Sequence, residues 1–173
     1  MSGLFWSCVR PSAPIPDFLE ILKCLCRHGV DFIVVGGISA VLCGANINTF
    51  DLDVVHGQAD DNLERLTAAL QELEAVYRFQ PERRLFPTRS HLASKGHQLL
   101  MTKFGPLDVL GAIGRGHSFD ELSESSPTLE LGPGMTIRVL GLETQIRIKE
   151  EVGSPKDLAV LPILRETLRE RDR

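Results

Sequence analysis

The sequence predicts an α/β (α+β) domain: a mixed β-sheet with flanking helices and a C-terminal helical tail. Three observations lead there. Short β-branched apolar runs at 31–35 and 50–55 are each followed by a helical pattern. Two pairs of apolar runs, 98–103 with 107–113 and 128–131 with 135–140, are joined by turns rich in glycine and proline, which makes two hairpins. The remainder, 142–173, has helical spacing.

Composition supports a globular chain. At 173 residues, with 43% hydrophobic and 24% charged residues, it has the size and apolar content to bury a core without disulfide or metal staples. The net charge of -4 and pI of 5.7 exclude broad non-specific nucleic-acid binding, which rests on a lysine- and arginine-rich surface. The apolar runs are too short to span a bilayer, and the N-terminus lacks the basic start and apolar stretch of a signal peptide, so a cytoplasmic protein with no membrane partner is expected. Cys8, Cys24, Cys26 and Cys43 form no CxxC pair, and none is read as having a histidine at metal-ligand spacing. Reduced, mostly buried thiols and no zinc are expected.

In chain order, 1–15 reads as an N-terminal arm and 16–173 as one domain, with 142–173 its C-terminal helical segment. Phe18, Ile21, Leu22 and Leu25 predict a helix that Gly29 stops. Residues 31–35 form a buried strand, and the Gly36-Gly37 pair then opens a short helix over 38–43, ended by Gly44. The strand at 50–55 is interrupted by two acids. Asp60 or Asp61 caps a helix whose Leu63, Leu66, Leu70 and Leu73 face a sheet. Residues 78–95, polar, arginine-rich and broken by Pro81 and Pro87, read as loop with a strand near Leu85. Phe104-Gly105-Pro106 turns the first hairpin, Ser118 and Glu121 have capping-box spacing, and Gly132-Pro133-Gly134 turns the second hairpin. Ser154 caps a last helix with Pro155 in its first turn, and Pro162 is expected to kink or restart it.

The chemistry lies where acids interrupt strands. Residues two apart on a strand share a face, so Asp51 and Asp53 project together while Leu52 and Val54 point into apolar surroundings. Like charges this close raise at least one pKa unless a cation compensates, and an oxygen-only donor set suits magnesium or manganese. Asp108 is the one charged residue in the apolar run 107–113. If its strand lies beside 50–55, three carboxylates could hold two divalent ions for in-line displacement at phosphorus. Gly36 and Gly37, between a strand and a helix, leave the backbone open to a phosphate.

The runs Val35-Gly-Gly-Ile-Ser-Ala-Val-Leu-Cys-Gly44, Thr49-Phe-Asp-Leu-Asp-Val54 and Gly105-Pro-Leu-Asp-Val-Leu110 resemble the glycine pair, DxD strand and third aspartate of polymerase-β-like nucleotidyltransferases. Ile148-Lys-Glu, Pro155-Lys-Asp-Leu158 and Leu161-Pro-Ile-Leu164 look like the helical tail of small bacterial members, including those related to toxins of type IV toxin–antitoxin systems. The resemblance spans roughly 32–168 and implies the nucleotidyltransferase fold, a nucleoside triphosphate as substrate and divalent metal as cofactor. By position it implies Gly36 and Gly37 at the triphosphate, Asp51 and Asp53 on the metal, and Asp108 completing the site and helping to activate the acceptor. Ser39 would add a hydroxyl contact to phosphate, and Lys149 stands where the family often carries a lysine near the nucleotide.

The spacing after Asp51 excludes an EF-hand, because His56 and Asn62 fall where its glycine and glutamate belong; no Gly-Lys-Ser/Thr follows the glycines, which excludes a Walker P-loop. His56, close to the DxD strand, is flagged. Lys103 reads as a solubilising charge and Lys156 and Asp157 as local pairing, while Arg83, Arg84 and Arg89 form a loop cluster open to a polyanion. The expected activity is transfer of a nucleoside monophosphate to an acceptor: RNA, a protein hydroxyl or a small molecule. The alternative is an inactive module of the same fold that binds nucleotide or a partner protein, as in a toxin–antitoxin pair.

Overall fold

The computed structural model describes residues 15–171 and 173, so all but the last residue of the expected N-terminal arm, with Cys8 in it, lies outside the described residues. The first helix, α1 (Phe18–Arg27), begins at Asp17, whose carboxylate accepts from the Glu20 N–H at 3.2 Å, and ends before Gly29 at φ 66°. Strand β1 (Phe32–Val35) leads directly into helix α2 (Gly36–Leu42). The glycine pair is therefore the first turn of α2, and the helix starts earlier than its apolar residues predict. Strand β2 (Leu52–His56) precedes helix α3 (Asp60–Glu72), whose N-cap is Ala59 with no side-chain bond. Asp60 and Asp61 sit inside the first turn, where their charge favours the helix dipole without capping it.

The arginine-rich stretch holds more structure than the predicted loop. Strand β3 (Val76–Tyr77), a 3-10 turn (Pro81–Arg83) and the short helix α4 (Arg89–Leu92) occupy it. The strand lies at Val76–Tyr77 rather than near Leu85, whose carbonyl accepts from the Tyr77 N–H at 2.9 Å. Strands β4 (His97–Thr102) and β5 (Gly105–Leu110) form the first hairpin, followed by β6 (Ala112–Ile113), β7 (His117–Ser118) and helix α5 (Phe119–Ser123). Ser118 is the N-cap of α5 but its hydroxyl makes no cap bond, so the predicted capping box is not formed. Strands β8 (Thr128–Gly132) and β9 (Met135–Val139) make the second hairpin, and helices α6 (Leu142–Val152) and α7 (Pro155–Arg171) close the chain. Ser154 caps α7 as expected, its Oγ accepting from the Asp157 N–H at 3.2 Å, and α7 runs through Pro162 as one helix.

The large sheet has the order β3-β4-β5-β2-β1-β9-β8, with β2–β5 and β1–β9 parallel and the other pairs antiparallel. Side-chain alternation sorts its two faces. Phe32, Val34, Leu52, Val54, Leu107 and Val109 point to one face and pack with Leu22, Leu25, Leu63, Leu66 and Leu70 of α1 and α3. Ile33, Val35, Val55 and Leu110 point to the other, against Leu122 of α5 and Ile148 of α6. A third cluster joins Ala40 of α2 to Leu142, Ile146, Leu161 and Leu164 of α6 and α7. Helices on both faces of a mixed sheet are the predicted architecture.

His117 ties the small β6–β7 hairpin to α6. Its Nδ1 lies 2.6 Å from Glu121 Oε1 and its Nε2 2.7 Å from Glu151 Oε2. Glu151, and then Glu121, hold its pKa above the usual histidine range. A raised histidine pKa contributes stability that is complete below the unfolded value of about 6.5 and is lost as pH rises through the folded value. Glu121, held below its usual range by His117, bounds the window on the acid side. Urea unfolding at pH 6 and pH 8 should show a larger contribution at the lower pH, and His117→Gln should narrow the difference between the two.

Candidate metal centre

The β2–β5 pairing assumed for the metal site is present. The parallel register sets Asp53 opposite Asp108, while Val35, the last residue of β1, pairs with Asp53 from the other side. Because Leu52, Val54, Leu107 and Val109 fill the α1/α3 core, Asp53 and Asp108 both emerge on the opposite face. Asp51 stands at the bend just ahead of β2, where its carbonyl accepts from Thr49 Oγ1 at 3.2 Å. One carboxylate oxygen from each of Asp51, Asp53 and Asp108 lies within 4.8 Å of the others.

Burial dominates the electrostatics. It pushes the Asp53 pKa up, the charges of Asp51 and Asp108 add to it, and the value reaches about 7. Burial likewise pushes Asp108 up to about 6, against the opposing pull of the Arg78 guanidinium. A site with both groups raised is incompletely ionised near neutrality, and added positive charge completes it. The donor set is all carboxylate oxygen, which fits magnesium or manganese.

Sequence reasoning missed the charge that already serves this purpose. Arg78 follows β3 directly, its N–H donating to the Leu99 carbonyl at 3.0 Å, and so is held across β4 from the acids. Its Nη2 donates to Asp108 Oδ1, and its Nη1 stands 3.9 Å from Asp51 Oδ2. The buried Nε makes no hydrogen bond. The available signal was weak: an arginine directly after the apolar run Ala75-Val76-Tyr77. The Lys156 ammonium also acts on Asp53 and Asp108, opposing the rise in both pKa values.

Gly36 is required by Asp53, and Gly37 by Thr49. Gly36 has φ 65°, and a Cβ there would lie 3.0 Å from Asp53 Cγ and closer still to Oδ2. A Cβ at Gly37 would meet Thr49 Cβ at 2.6 Å. Gly36→Ala should destabilise the chain by about 2 kcal/mol or more, combining left-handed strain with displacement of the Asp53 carboxylate. Denaturant unfolding checks this.

Two residues expected near the phosphates make contacts within the protein. Ser39 is fully buried; its hydroxyl donates to the Leu140 carbonyl at 2.8 Å and accepts from Gln145 Nε2 at 2.9 Å, so it braces α2 on α6 and has no free surface for phosphate. Lys149 Nζ is paired with Asp157 Oδ1 at 2.9 Å, which anchors α6 to α7. His56 is a core residue with its pKa lowered by burial, on the strand face opposite Asp53. Arg83 bonds Gln80 at 2.8 Å and Arg89 pairs with Asp60 at 2.8 Å, leaving neither as part of the acid cluster.

Among solved structures, one similar to this chain is the crystal structure of a Thermotoga maritima protein named as a candidate nucleotidyltransferase, with TM-score 0.53 and 18% identity over 88% of this chain and 91% of that one. The likeness establishes a nucleotidyltransferase-like fold. No family model and no curated protein matches the sequence.

Proposed function

We propose that the chain is a divalent-metal-dependent nucleotidyltransferase that moves a nucleoside monophosphate from a nucleoside triphosphate to an acceptor. The convergence of Asp53 and Asp108 on adjacent parallel strands, with Asp51 at the bend ahead of β2, carries this reading. Magnesium or manganese held by these three residues would neutralise developing charge on the phosphate oxygens. Gly36 and Gly37 form the first turn of α2 beside Asp53, and the triphosphate would lie there. Asp108, at about 6, suits a base near neutral pH. It would take the acceptor's hydroxyl proton as that oxygen bonds to the α-phosphorus and the bond to the leaving pyrophosphate breaks. Arg78 and Lys156 add positive charge at the site.

The acceptor classes are RNA, protein hydroxyls and small molecules, and a reducing compartment such as the cytoplasm fits the described cysteines, all free. Among the described residues no helix is long and apolar enough to cross a membrane. Incubation with α-labelled nucleotides, magnesium and separate RNA, protein and small-molecule fractions of a cell extract tests the proposal. Label should enter one fraction, and transfer should vanish in the Asp51→Asn, Asp53→Asn double variant. Absence of transfer to every fraction with every nucleotide would overturn it.

A second reading has an observation of its own. The Arg78 guanidinium compensates the acids internally, so the cluster is tolerable in a chain that binds nucleotide, or a partner in a toxin–antitoxin-like pair, without catalysis. Nucleotide binding without label transfer would select it.

A further inference from the structure

A second group of metal-ligating side chains stands apart from the carboxylate centre, where α1 crosses the end of α3. Cys24 and His28 are one helical turn apart and share a face of α1, a spacing the sequence reading passed over. Glu72, the last residue of α3, meets them: Cys24 Sγ, a ring nitrogen of His28 and a Glu72 oxygen all lie within 4.8 Å of one another. His28 Nε2 is 2.6 Å from Glu72 Oε2. Arg27 Nη2 donates to the other carboxylate oxygen, so the carboxylate is oriented from behind. Cys24 Sγ has a weaker partner, the Ala69 carbonyl at 3.7 Å.

We propose that Cys24, His28 and Glu72 form a site for a single thiophilic divalent cation, zinc being the class the donors fit. Thiolate, imidazole and carboxylate together select a borderline-soft ion over magnesium or calcium. Cys24 and Glu72 each bring one negative charge as ligands and balance the cation, and the fourth position is left to water. The ligand atoms of a tetrahedral zinc lie about 3.5 Å apart, given bonds of about 2.0–2.3 Å. Binding would draw Cys24 from the Ala69 carbonyl toward the ion and part His28 and Glu72 around it. Bound metal would clamp α1 to α3, the helices covering one face of the sheet. The site does not depend on the catalytic reading, since it shares no residue with Asp51, Asp53 or Asp108.

Cobalt(II) titration of the reduced, full-length chain, followed by zinc displacement, tests it. One equivalent should give a thiolate-to-cobalt charge-transfer absorption that zinc abolishes. The band should persist in Asp53→Asn, Cys26→Ala and Cys43→Ala and vanish in Cys24→Ala. His28→Gln should weaken cobalt affinity by at least about 100-fold, since losing a ligand costs more than the roughly 10–100-fold that loss of a supporting group costs. His28→Gln decides the matter if Cys24→Ala fails to fold, because His28 is partly exposed at the end of α1. A folded wild-type chain without the absorption, a band that survives Cys24→Ala, or affinity unchanged in His28→Gln would overturn the site.

Discussion

Asp53→Asn should raise the thermal unfolding midpoint of the metal-free chain at pH 8 while abolishing nucleotidyl transfer. The two effects have one origin. Asp53 is raised to about 7 by burial and by its acidic neighbours, so the folded chain holds a proton there that the unfolded chain, near 4, has released. Stability from that proton is complete below about pH 4 and is lost as pH rises through about 7. At pH 8 the ionised group is a net cost, and asparagine removes it without changing shape. A gain of about 2 kcal/mol is expected, below what the full pKa difference would give because part of the group meets solvent. The same substitution removes a charge the proposed reaction needs, and transfer should fall by about 10³-fold or more, some 4 kcal/mol in the barrier. Calorimetry and label transfer on the same preparation check both. A variant less stable than wild type at pH 8 would contradict the electrostatic account.

Arg78→Ala should act in the opposite sense. With the guanidinium gone, Asp108 is left buried beside Asp51 and Asp53 without its partner. Breaking a buried ion pair costs about 3–5 kcal/mol, and here about 2–3 kcal/mol is expected, since Arg78 is partly exposed and Asp108 can take up a proton. Metal affinity should move the other way: removing a resident cation from the acids should tighten divalent-metal binding by about tenfold, or ~1.4 kcal/mol. Thermal unfolding with and without magnesium separates the two, because the added metal should restore a larger share of stability in the variant than in wild type. Magnesium that restores no larger share in the variant than in wild type would show that the guanidinium and the metal do not share the acids.

How much was legible in the sequence follows from which signals are local. The Asp51/Asp53 pair was legible because strand alternation is local, and Leu52 and Val54 pack as that alternation requires. The two hairpins were legible from their turn residues. Asp108 stood out as an acid in an apolar run, but its partner strand is set by non-local pairing; the β2–β5 register supplies it. Arg78 was not legible, since β3 has only two residues and its place at the sheet edge comes from pairing with β4. The contacts of Ser39 and Lys149 were not legible, because nearness in sequence to a glycine turn or a tail motif says nothing of which way a helix face points. Ser39 faces α6, and Lys149 faces α7. Cys24 and His28 had the spacing of helical ligands, but Glu72, from another helix, gives that spacing its meaning.

Manganese titration at pH 8, with free ion read by electron paramagnetic resonance, tests most directly whether the acids of β2 and β5 form a divalent-metal centre. Wild type should bind manganese saturably, Arg78→Ala more tightly, and Asp53→Asn at least about 100-fold more weakly. Wild type that shows no saturable binding, or an Asp53→Asn variant that binds as wild type does, would contradict the centre.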